Sequence, residues 1–352
     1  MKLPHHHQLR VAEVIVETSD ARSFVLAVPD ELAERFAYRA GQFLTVRVPR
    51  PDGGFAARCY SLSSAPNSRQ LTITVKRIAD GHGSNWLCDN VAVGSELQVL
   101  PPAGTFTPRT LDADFLLFAA GSGITPVMSI VRAALATGSG EVVLVYANRD
   151  ENSIIFGAEL DRLTAAHADR LTIVHWLETG PHGRGLPTAA GLREVAAPHA
   201  DHEVYVCGPE LFMIEALQAA KLLGVPHNRT HVERFVSLAD DPFAVSAEVA
   251  PADAAEAEDP AAQSSLEVEL DGEEHRLPWP AGARMLDVLL DHGLAAPFSC
   301  RQALCGACTC RLEKGEVNMI ENNVLDAEDL ADGYILACQA LPVSNTVRIS
   351  YE

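Results

Sequence analysis

The sequence predicts a multidomain chain with a β part and an α/β part: an antiparallel β-barrel, a parallel α/β domain and a small C-terminal domain. Three observations lead to this fold class. Short alternating apolar runs fill the N-terminal third of the chain, and continuous apolar runs followed by stretches of helical period fill the middle. Five cysteines gather near the C-terminus, after a segment rich in Ala, Pro and acidic residues. The 352 residues suffice for two or three domains of roughly 150 residues each.

The residue pattern of the N-terminal domain, residues 8–109, indicates an antiparallel barrel or sandwich. Gly, Pro, Asn and Asp separate its short runs, and alternation of apolar and polar side chains is typical of antiparallel strands. The runs lie at 11–17, 24–28, 43–48 and 71–76.

The second domain, residues 110–239, is predicted to contain a parallel sheet with helices on both faces. Its apolar runs are continuous rather than alternating, as in strands that are buried on both faces. These runs lie at 115–119, 142–146, 171–177 and 204–207.

Residues 240–264 are predicted to form a solvated linker, because they are rich in Ala, Pro and acidic residues and lack an apolar stripe. Residues 265–352 then form the small third domain. Its expected elements are a hairpin, from the alternating runs at 266–270 and 275–277, and a helix at 284–292.

Charge and hydropathy exclude several classes of partner. The chain has 27 Lys and Arg against 47 Asp and Glu, a net charge of -20, which argues against nucleic-acid binding because phosphates need a basic surface. The longest uncharged apolar stretch, residues 115–131, contains two glycines and a proline, so we expect no membrane span. The first residues, MKLPHHH, include no apolar signal region, and we expect a cytoplasmic protein.

Four cysteines, Cys300, Cys305, Cys308 and Cys338, have the spacing C-x₄-C-x₂-C-x₂₉-C, which is that of plant-type [2Fe-2S] proteins. Three thiolates on one loop and a fourth from a distant segment can enclose two irons. A zinc site with four cysteines is the alternative, although zinc generally prefers paired C-x₂-C motifs. Cys310 fits no ligand spacing and is expected to be a buried thiol.

The C-terminal domain resembles a plant-type ferredoxin of β-grasp fold. The resemblance includes the runs PFSCR at 297–301 and ACQ at 337–339, and it implies a domain that carries one electron at a time. Small residues at Gly306 and Ala307 would let backbone N–H groups approach the cluster sulfurs, and such hydrogen bonds help to set the reduction potential.

The barrel carries two motifs of a flavin site. The run RCYS at 58–61 resembles the R-x-Y-S signature of the ferredoxin–NADP reductase superfamily, and VKR at 75–77 with GHGSN at 81–85 resembles its second flavin segment. Arg58 would then pair with a phosphate, Tyr60 would lie against the isoalloxazine, and Ser61 would donate a hydrogen bond near flavin N5. FAD is favoured over FMN because the second segment receives the pyrophosphate. This segment would bind through Val75, Lys76, Gly83 and Ser84.

The run at 115–126 is predicted to be a strand, a glycine turn and a helix start, with Thr125 as N-cap and Pro126 at the first helical position. Gly121 and Gly123 allow close backbone approach, and the helix N-terminus offers N–H donors to a dinucleotide pyrophosphate. With two glycines the run lacks the full G-x-G-x-x-G pattern. It resembles the G-x-G-x-x-P element of the same superfamily.

Two further motifs imply a nicotinamide site. Cys207, Gly208 and Pro209 resemble the second nucleotide motif of the superfamily, in which the thiol lies beside the nicotinamide. The run HVERF at 231–235 resembles the segment that closes the domain, so its phenylalanine would cover the flavin; ordinary core packing is the alternative for both. The residues expected to take part in catalysis are Ser61, Cys207 and Phe235.

Two residues after the second parallel strand bear on the choice of nicotinamide cofactor. Arg149 could meet a 2′-phosphate, but Asp150 would repel it, so we expect NADH rather than NADPH. The thirteen histidines show no metal-ligand spacing.

The order of flavin barrel, nicotinamide domain and ferredoxin domain resembles the reductase components of multicomponent oxygenases. Within that group, the reductases of 3-ketosteroid 9α-hydroxylases are the most similar, notably at 146–153, 175–178 and 297–301. The resemblance implies a role in steroid metabolism, with electrons passing from NADH through FAD and [2Fe-2S] to a Rieske-type terminal oxygenase. Outside that electron-transfer complex we expect a monomer.

Two other functions fit the same sequence. A reductase of a di-iron oxygenase, such as phenylacetyl-CoA epoxidase, has the same layout, and a non-enzymatic redox-sensing module is the alternative of a different class. The run Arg301-Gln302-Ala303 is a departure from the 3-ketosteroid 9α-hydroxylase reductases, which usually have Arg-Glu-Gly there. The loss of that carboxylate bears on the potential and the docking surface of the cluster.

Overall fold

The computed structural model describes residues 6–68, 70–238, 242–243 and 264–351. Apart from residues 242, 243 and 264, the predicted linker 240–264 lies outside the described residues. Within them, no helix has both the length and the apolar character needed to cross a bilayer. Three main sheets form the fold, and the predicted fold class is confirmed.

The first sheet is a six-stranded antiparallel barrel with the order β4-β3-β6-β1-β2-β5. A bridge between Leu62 and Ile73 joins the ends of the two edge strands and closes the sheet. Alternate side chains fill its interior, with Phe24 and Leu44 fully buried there. Its elements are β1 His7–Val16, β2 Ala21–Ala27, β3 Phe43–Pro49, β4 Phe55–Ser61, β5 Leu71–Lys76, helix α1 His82–Asn90 and β6 Glu96–Val99.

The second sheet is parallel throughout, with the order β11-β10-β7-β8-β9. Its elements are β7 Phe115–Ala120, α2 Ile124–Thr137, β8 Val142–Asn148, α3 Gly157–Ala166, β9 Leu171–Leu177, α4 Ala189–Ala196, β10 Glu203–Cys207, α5 Glu210–Leu222 and β11 Thr230–Glu233. Every residue of β7 and β8 is buried, which explains their continuous apolar runs. Along β7, Leu117 packs into the core on one face and Leu116 into the core on the other.

Strand β7 is the point at which the strand order reverses, because the chain continues to β8 on one side and β10 lies on the other. Ligands of open α/β sheets bind beyond the carboxyl ends of the strands at such a point. The ends of β7 and β10 therefore mark the nucleotide side of this domain.

The C-terminal domain contains a mixed sheet with the order β13-β12-β18-β14-β16, packed against one helix. Its elements are β12 Ser264–Leu270, β13 Glu273–Trp279, α6 Met285–Asp291, β14 Thr309–Lys314, β15 Val317–Met319, α7 Ala327–Ala331, β16 Tyr334–Leu336, β17 Ala340–Pro342 and β18 Thr346–Ser350. The predicted hairpin is β12 and β13, and the predicted helix is α6. Asp271 and Gly272 have φ values of 53° and 78°, which a tight hairpin turn requires.

Among the contacts that hold the C-terminal domain against the rest of the chain, two join polar side chains and differ in burial. At the barrel, Thr45 Oγ1 and Ser299 Oγ form a hydrogen bond of 2.7 Å. At the α/β domain, His227 Nε2 lies 3.3 Å from a carboxylate oxygen of Asp326. Asp326 is also the N-cap of α7, where it forms a capping box with Asp329. The first contact is buried, whereas the second is exposed.

Gly123→Ala tests how tightly the turn before α2 packs against β10. A Cβ at this position would lie 2.1 Å from the carbonyl oxygen of Cys207, so backbone atoms would have to move. We expect the free energy of unfolding to fall by about 1–3 kcal/mol, the usual cost of overpacking, measured by thermal unfolding without nucleotide. The control is Gly157→Ala in α3, where the nearest atom to the added Cβ lies at 3.6 Å. Equal unfolding midpoints for the two variants would mean that the turn accepts a side chain without strain.

Candidate functional site

A cavity of about 400 Å³ opens between the barrel and the α/β domain. This volume lies in the range of small-molecule sites. It brings together residues from β4, β5, the N-terminus of α1, the turn before α2 and the segment after β11. The predicted residues that line it are Arg58, Tyr60, Ser61, Lys76, Gly83, Ser84, Thr125 and Phe235.

Strand β4 positions the first flavin motif by alternation of its side chains. Arg58 and Tyr60 are two residues apart, so they lie on the same face of the strand. Cys59 lies between them, and its Sγ is 3.6 Å from Ser299 Oγ of the C-terminal domain. Burial raises the pKa of Tyr60, which keeps the phenol neutral beside the cavity.

The N-terminus of α1 forms the second part of the cavity wall. Gly81 is its N-cap, and no described side chain caps the first backbone N–H groups. A Cβ at Gly83 would lie 2.8 Å from Arg58 Cγ and 3.3 Å from the Tyr60 hydroxyl, so glycine keeps this end open. Free backbone donors beside the cations of Arg58 and Lys76 suit a pyrophosphate. The residues present therefore fit FAD.

Val75 is the one predicted flavin residue of the second segment that does not line the cavity. Its side chain is fully buried in the barrel core. The neighbouring Lys76 points to the cavity, because successive side chains of β5 alternate between the two faces.

The two nucleotide motifs of the α/β domain touch each other. Gly121, with φ of 52°, opens a 3₁₀ turn that ends at Gly123. A Cβ on Gly123 would lie 2.7 Å from the backbone nitrogen of Gly208, so this glycine permits the contact. Cys207 ends β10 and is buried, and burial raises the pKa of its thiol. Pro209 follows as the N-cap of α5.

The prediction that Thr125 caps α2 is wrong. The helix begins at Ile124 with Gly123 as N-cap, so Pro126 is its third residue. The Thr125 hydroxyl donates a hydrogen bond of 3.0 Å to the carbonyl of Ser122 instead of accepting one from a helix amide. The preceding 3₁₀ turn starts the helix earlier, because Gly123 at its end already has right-handed helical angles, with φ of -62° and ψ of -12°.

A much smaller cavity, about 10 Å³, lies between the flavin-site residues and the C-terminal domain. This is about the space that one water occupies. Phe235, 48% exposed, lines both cavities. The small cavity is lined by Phe43, Cys59, Ser61, Glu233, Arg234, Phe235, Val236 and Cys305. It therefore connects the predicted flavin site with a predicted cluster ligand.

Glu233 is a site residue that the sequence motifs do not single out. Burial raises the pKa of its carboxyl to about 8, so the group is neutral at pH 7. The signal available in the sequence is a charged residue at the end of a parallel strand, within the run HVERF at 231–235. The raised pKa depends on burial of this carboxyl in the folded chain, which the motif alone does not show.

The four predicted cluster cysteines lie together in the C-terminal domain. Cys300, Cys308 and Cys338 are buried, and Cys305 is partly exposed. The thiols form two hydrogen-bonded pairs, Cys300 with Cys305 and Cys308 with Cys338. In a [2Fe-2S] cluster held by four cysteines each iron binds two thiolates, so two pairs of cysteines match two irons. Gln339 Nε2 donates to Cys338 Sγ at 3.3 Å.

The loop around the cysteines directs backbone donors to sulfur. The amides of Gln302 and Leu304 donate to Cys300 Sγ at 3.3 and 3.4 Å. Arg301 and Ala303 have φ values of 58° and 56°, and this alternation turns the intervening amides to one side. Such a concave backbone binds anions. Gln302 donates through its backbone amide. The presence of Gln where the 3-ketosteroid 9α-hydroxylase reductases usually have Glu therefore leaves this donor in place.

Gly306 and Ala307 do not supply the sulfur-directed donors found in this loop. Gly306 has φ of 65° and accepts the hydrogen bond of Thr309 through its carbonyl. Ala307 packs against Phe43 and Ala103 of the barrel. Small residues at these positions thus permit close approach of the two domains.

Cys310 is buried, as predicted for a thiol outside the ligand set. Burial raises its pKa to about 12.

At the carboxyl end of β8, the two residues expected to select the nicotinamide cofactor are bound to each other. Arg149 Nε donates to Asp150 at 3.0 Å, and Arg149 Nη2 donates to Ser153 Oγ at 3.1 Å. The hydrogen bonds from Ser153 and then Arg149 lower the pKa of Asp150 and keep it ionised. The guanidinium is thereby engaged by its neighbours.

Family models match three parts of the chain. An oxidoreductase FAD-binding domain matches residues 8–107, an oxidoreductase NAD-binding domain matches 117–218, and a 2Fe-2S iron-sulfur cluster binding domain matches 268–343. These matches confirm the predicted cofactor classes and favour [2Fe-2S] over zinc.

Curated relatives align with nearly the whole chain. It is 54% identical to the ferredoxin reductase component of 3-ketosteroid-9-alpha-monooxygenase from Mycolicibacterium smegmatis, covering 99% of this chain and 98% of that protein. The same component from Rhodococcus rhodochrous is 51% identical, with 100% and 99% covered. A subunit of the 1,2-phenylacetyl-CoA epoxidase from Escherichia coli is 31% identical, with 98% of each covered.

Among solved structures, phthalate dioxygenase reductase is similar, with a TM-score of 0.56 and 25% identity over 98% of both chains. Its structure is described as modular, for electron transfer from pyridine nucleotides to [2Fe-2S].

Glu233→Gln tests the role of the neutral carboxyl. Below pH 8 the wild-type group is protonated, and above pH 8 it is ionised. A negative charge here opposes an arriving hydride, so we expect NADH-dependent flavin reduction to slow as the pH rises through 8, and Glu233→Gln to lose this decline. Stopped-flow absorbance measures both rates. A decline of the same size in both proteins would show that another group titrates.

The same carboxyl links stability to pH. Its pKa is 4.5 in the unfolded chain and about 8 in the folded one, so the folded state holds the proton longer. The stability that protonation of this carboxyl gives to the folded state is complete below pH 4.5 and is lost as the pH rises to 8. Glu233→Gln should flatten the stability curve over this interval, measured by denaturant unfolding.

Proposed function

Because the chain belongs to the family of oxygenase reductase components that includes those of 3-ketosteroid-9-alpha-monooxygenases, we propose that it delivers electrons from NADH to the terminal oxygenase of a 3-ketosteroid 9α-hydroxylase. It is an oxidoreductase with FAD-binding, NAD-binding and 2Fe-2S domains. The observation that carries the proposal is the small cavity shared by the flavin-site residue Ser61 and the cluster ligand Cys305.

FAD held in the larger cavity would supply a hydride acceptor for NADH, and a cluster held by Cys300, Cys305, Cys308 and Cys338 would supply single-electron transfer. The residues of the chain provide an uncharged setting for this chemistry. Burial keeps the Tyr60 phenol, the Cys207 thiol and the Glu233 carboxyl protonated at pH 7. A protonated thiol is a poor nucleophile, so Cys207 serves to pack beside the nicotinamide. The cations Arg58 and Lys76 lie where phosphates would bind.

The contact between barrel and ferredoxin domain keeps the two redox sites adjacent. Ser299 directly precedes the ligand Cys300, and its hydroxyl meets both Thr45 and Cys59. Phe43 packs against Ala307 in the same contact. The side of the cluster loop that carries Cys305 therefore faces the flavin site.

The proposed nicotinamide cofactor is NADH. Asp150 is ionised and holds the Arg149 guanidinium, so the end of β8 offers a carboxylate to the ribose hydroxyls and repels a 2′-phosphate.

The proposed partner is a Rieske-type terminal oxygenase, met in the cytoplasm by a monomeric reductase. Clustering of five of the eight cysteines with the spacing of a metal site, rather than a pattern of disulfide pairs, supports a reducing compartment. The di-iron alternative is weaker, because the relative from phenylacetyl-CoA epoxidase is 31% identical against 51% and 54% for the steroid reductases.

Reconstitution separates these functions. The holoenzyme is combined with the oxygenase component of a 3-ketosteroid 9α-hydroxylase and, separately, with that of a phenylacetyl-CoA epoxidase, and NADH-dependent product is measured. We expect turnover with the first. Faster turnover with the second would favour the epoxidase role, and absence of NADH oxidation with any acceptor would leave a redox-sensing module.

Cys305→Ala separates the two halves of the enzyme. It removes a cluster ligand and leaves the flavin-site residues in place, so the [2Fe-2S] absorbance should disappear while the FAD content stays nearly unchanged. Ferricyanide takes electrons directly from reduced flavin, so NADH–ferricyanide activity should persist and oxygenase-coupled turnover should fall to background. Cys310→Ala, at the buried thiol outside the ligand set, is the control and should keep the cluster. Wild-type oxygenase turnover by Cys305→Ala would refute the electron path.

Asp150→Ser tests cofactor choice. We expect the wild type to use NADH at least roughly tenfold more efficiently than NADPH by kcat/KM. The variant releases Arg149 to meet a 2′-phosphate, so its ratio should move toward one. Asp169→Ser, an exposed carboxylate before β9 at the other edge of the sheet, should leave the ratio unchanged. A wild-type ratio near one would overturn the assignment.

A further inference from the structure

Three metal-ligating side chains meet at the edge of the parallel sheet opposite the nucleotide site. Glu141 directly precedes β8, and His199 and His202 lie in the segment that leads into β10. All strands of a parallel sheet start at the same edge, which brings these distant segments together. Strand β7 lies between β8 and β10, so the cluster spans three strands.

The distances within the cluster suit one small ion. Glu141 Oε2 lies 3.1 Å from His202 Nε2 and 3.5 Å from His199 Nδ1. One ligand atom from each of the three residues lies within 4.8 Å of the others. Zinc ligands at about 2.0–2.2 Å in tetrahedral geometry lie about 3.3–3.6 Å apart.

The ring of His202 is oriented by a carboxylate on its far side. Asp201 Oδ1 lies 3.0 Å from Nδ1 of His202. With the proton on Nδ1, the lone pair of Nε2 points to Glu141 and His199. A metal-binding histidine almost always donates its other N–H to such an acceptor, and this fixes the tautomer. His202 is buried, so its orientation is set by the fold.

The arginine side chains near the cluster donate hydrogen bonds to backbone carbonyls. Arg170 Nη2 donates to the carbonyl of Gly140 at 3.0 Å, and Arg229 Nη1 donates to the backbone carbonyl of Asp201. Within the described residues, the ion pairs of Glu141 are those with the two histidines. The carboxylate is therefore directed at the imidazoles.

We propose that Glu141, His199 and His202 bind a divalent transition-metal ion of the Zn²⁺ class, with a fourth position for water. Two imidazoles and one carboxylate are ligands that this class of ion prefers. The bound ion would tie the start of β8 to the segment before β10 and stabilise the α/β domain. The sequence does not predict this site, because Glu141 precedes β8 whereas the two histidines precede β10, far along the chain.

The test compares zinc content in the holoenzyme. Wild type and His202→Asn, both loaded with FAD and cluster, are dialysed against buffered Zn²⁺, and zinc and iron per FAD are measured by elemental analysis. We expect one more zinc in the wild type at equal iron content, and a thermal midpoint that rises with Zn²⁺ in the wild type alone. Asp201→Asn should weaken zinc binding by about 10–100-fold.

The control is His227→Asn, which removes an exposed histidine grouped with Asp326 and Asp329 and should retain the additional zinc. NADH–ferricyanide activity, which should be equal in all proteins, reports folding; if His202→Asn does not fold, His199→Asn replaces it. Equal zinc in wild type and His202→Asn, or equal loss in His227→Asn, would overturn the proposal and leave a hydrogen-bonded His–carboxylate network.

Discussion

The alternation of side chains along β4 is the constraint on which the arrangement of the redox sites depends. Arg58 and Tyr60 line the larger cavity, and Cys59 between them borders this cavity and also reaches Ser299 of the ferredoxin domain. Thr45 of β3 is paired directly with Cys59, and both approach the hydroxyl of Ser299. A shift of one residue in the β3–β4 register would exchange these faces and separate both contacts at once. One strand pair therefore sets the position of the proposed flavin site and the position of the cluster loop.

Much of the fold follows from local pattern. The start of β1 is buried on one face and keeps period two, runs buried on both faces are continuous, and the cysteine spacing predicts the cluster loop. The period-two pattern does not predict strand β4. Its segment FAARCYS borders the larger cavity and also the ferredoxin domain, so it lacks apolar alternation. The capping role expected of Thr125 fails since a 3₁₀ turn precedes the helix. The contributions of Glu233 and of the His199–His202 cluster depend on segments far apart in the chain, which pattern alone does not bring together.

The proposed phosphate site, the proposed hydride path and the cysteine loop differ in the charge of the groups that surround them. The chain carries a net charge of -20, yet cations line the flavin cavity at the end suited to phosphates. Around the proposed hydride path the ionisable groups Cys207 and Glu233 are held neutral by burial, because the charged forms lose solvation there. In the loop of the predicted cluster ligands, backbone amides donate hydrogen bonds to the sulfur of Cys300.

The exposed contact between His227 and Asp326 differs from the buried contact at Ser299 in what it contributes to the placement of the ferredoxin domain. Both of its side chains are exposed, so water competes for the contact and it adds little to the stability of the folded chain. Asp326 is held by the capping box of α7, so its orientation does not depend on His227. The buried hydrogen bond between Thr45 and Ser299 therefore fixes the cluster loop against the barrel, and loss of the exposed contact would leave that placement intact.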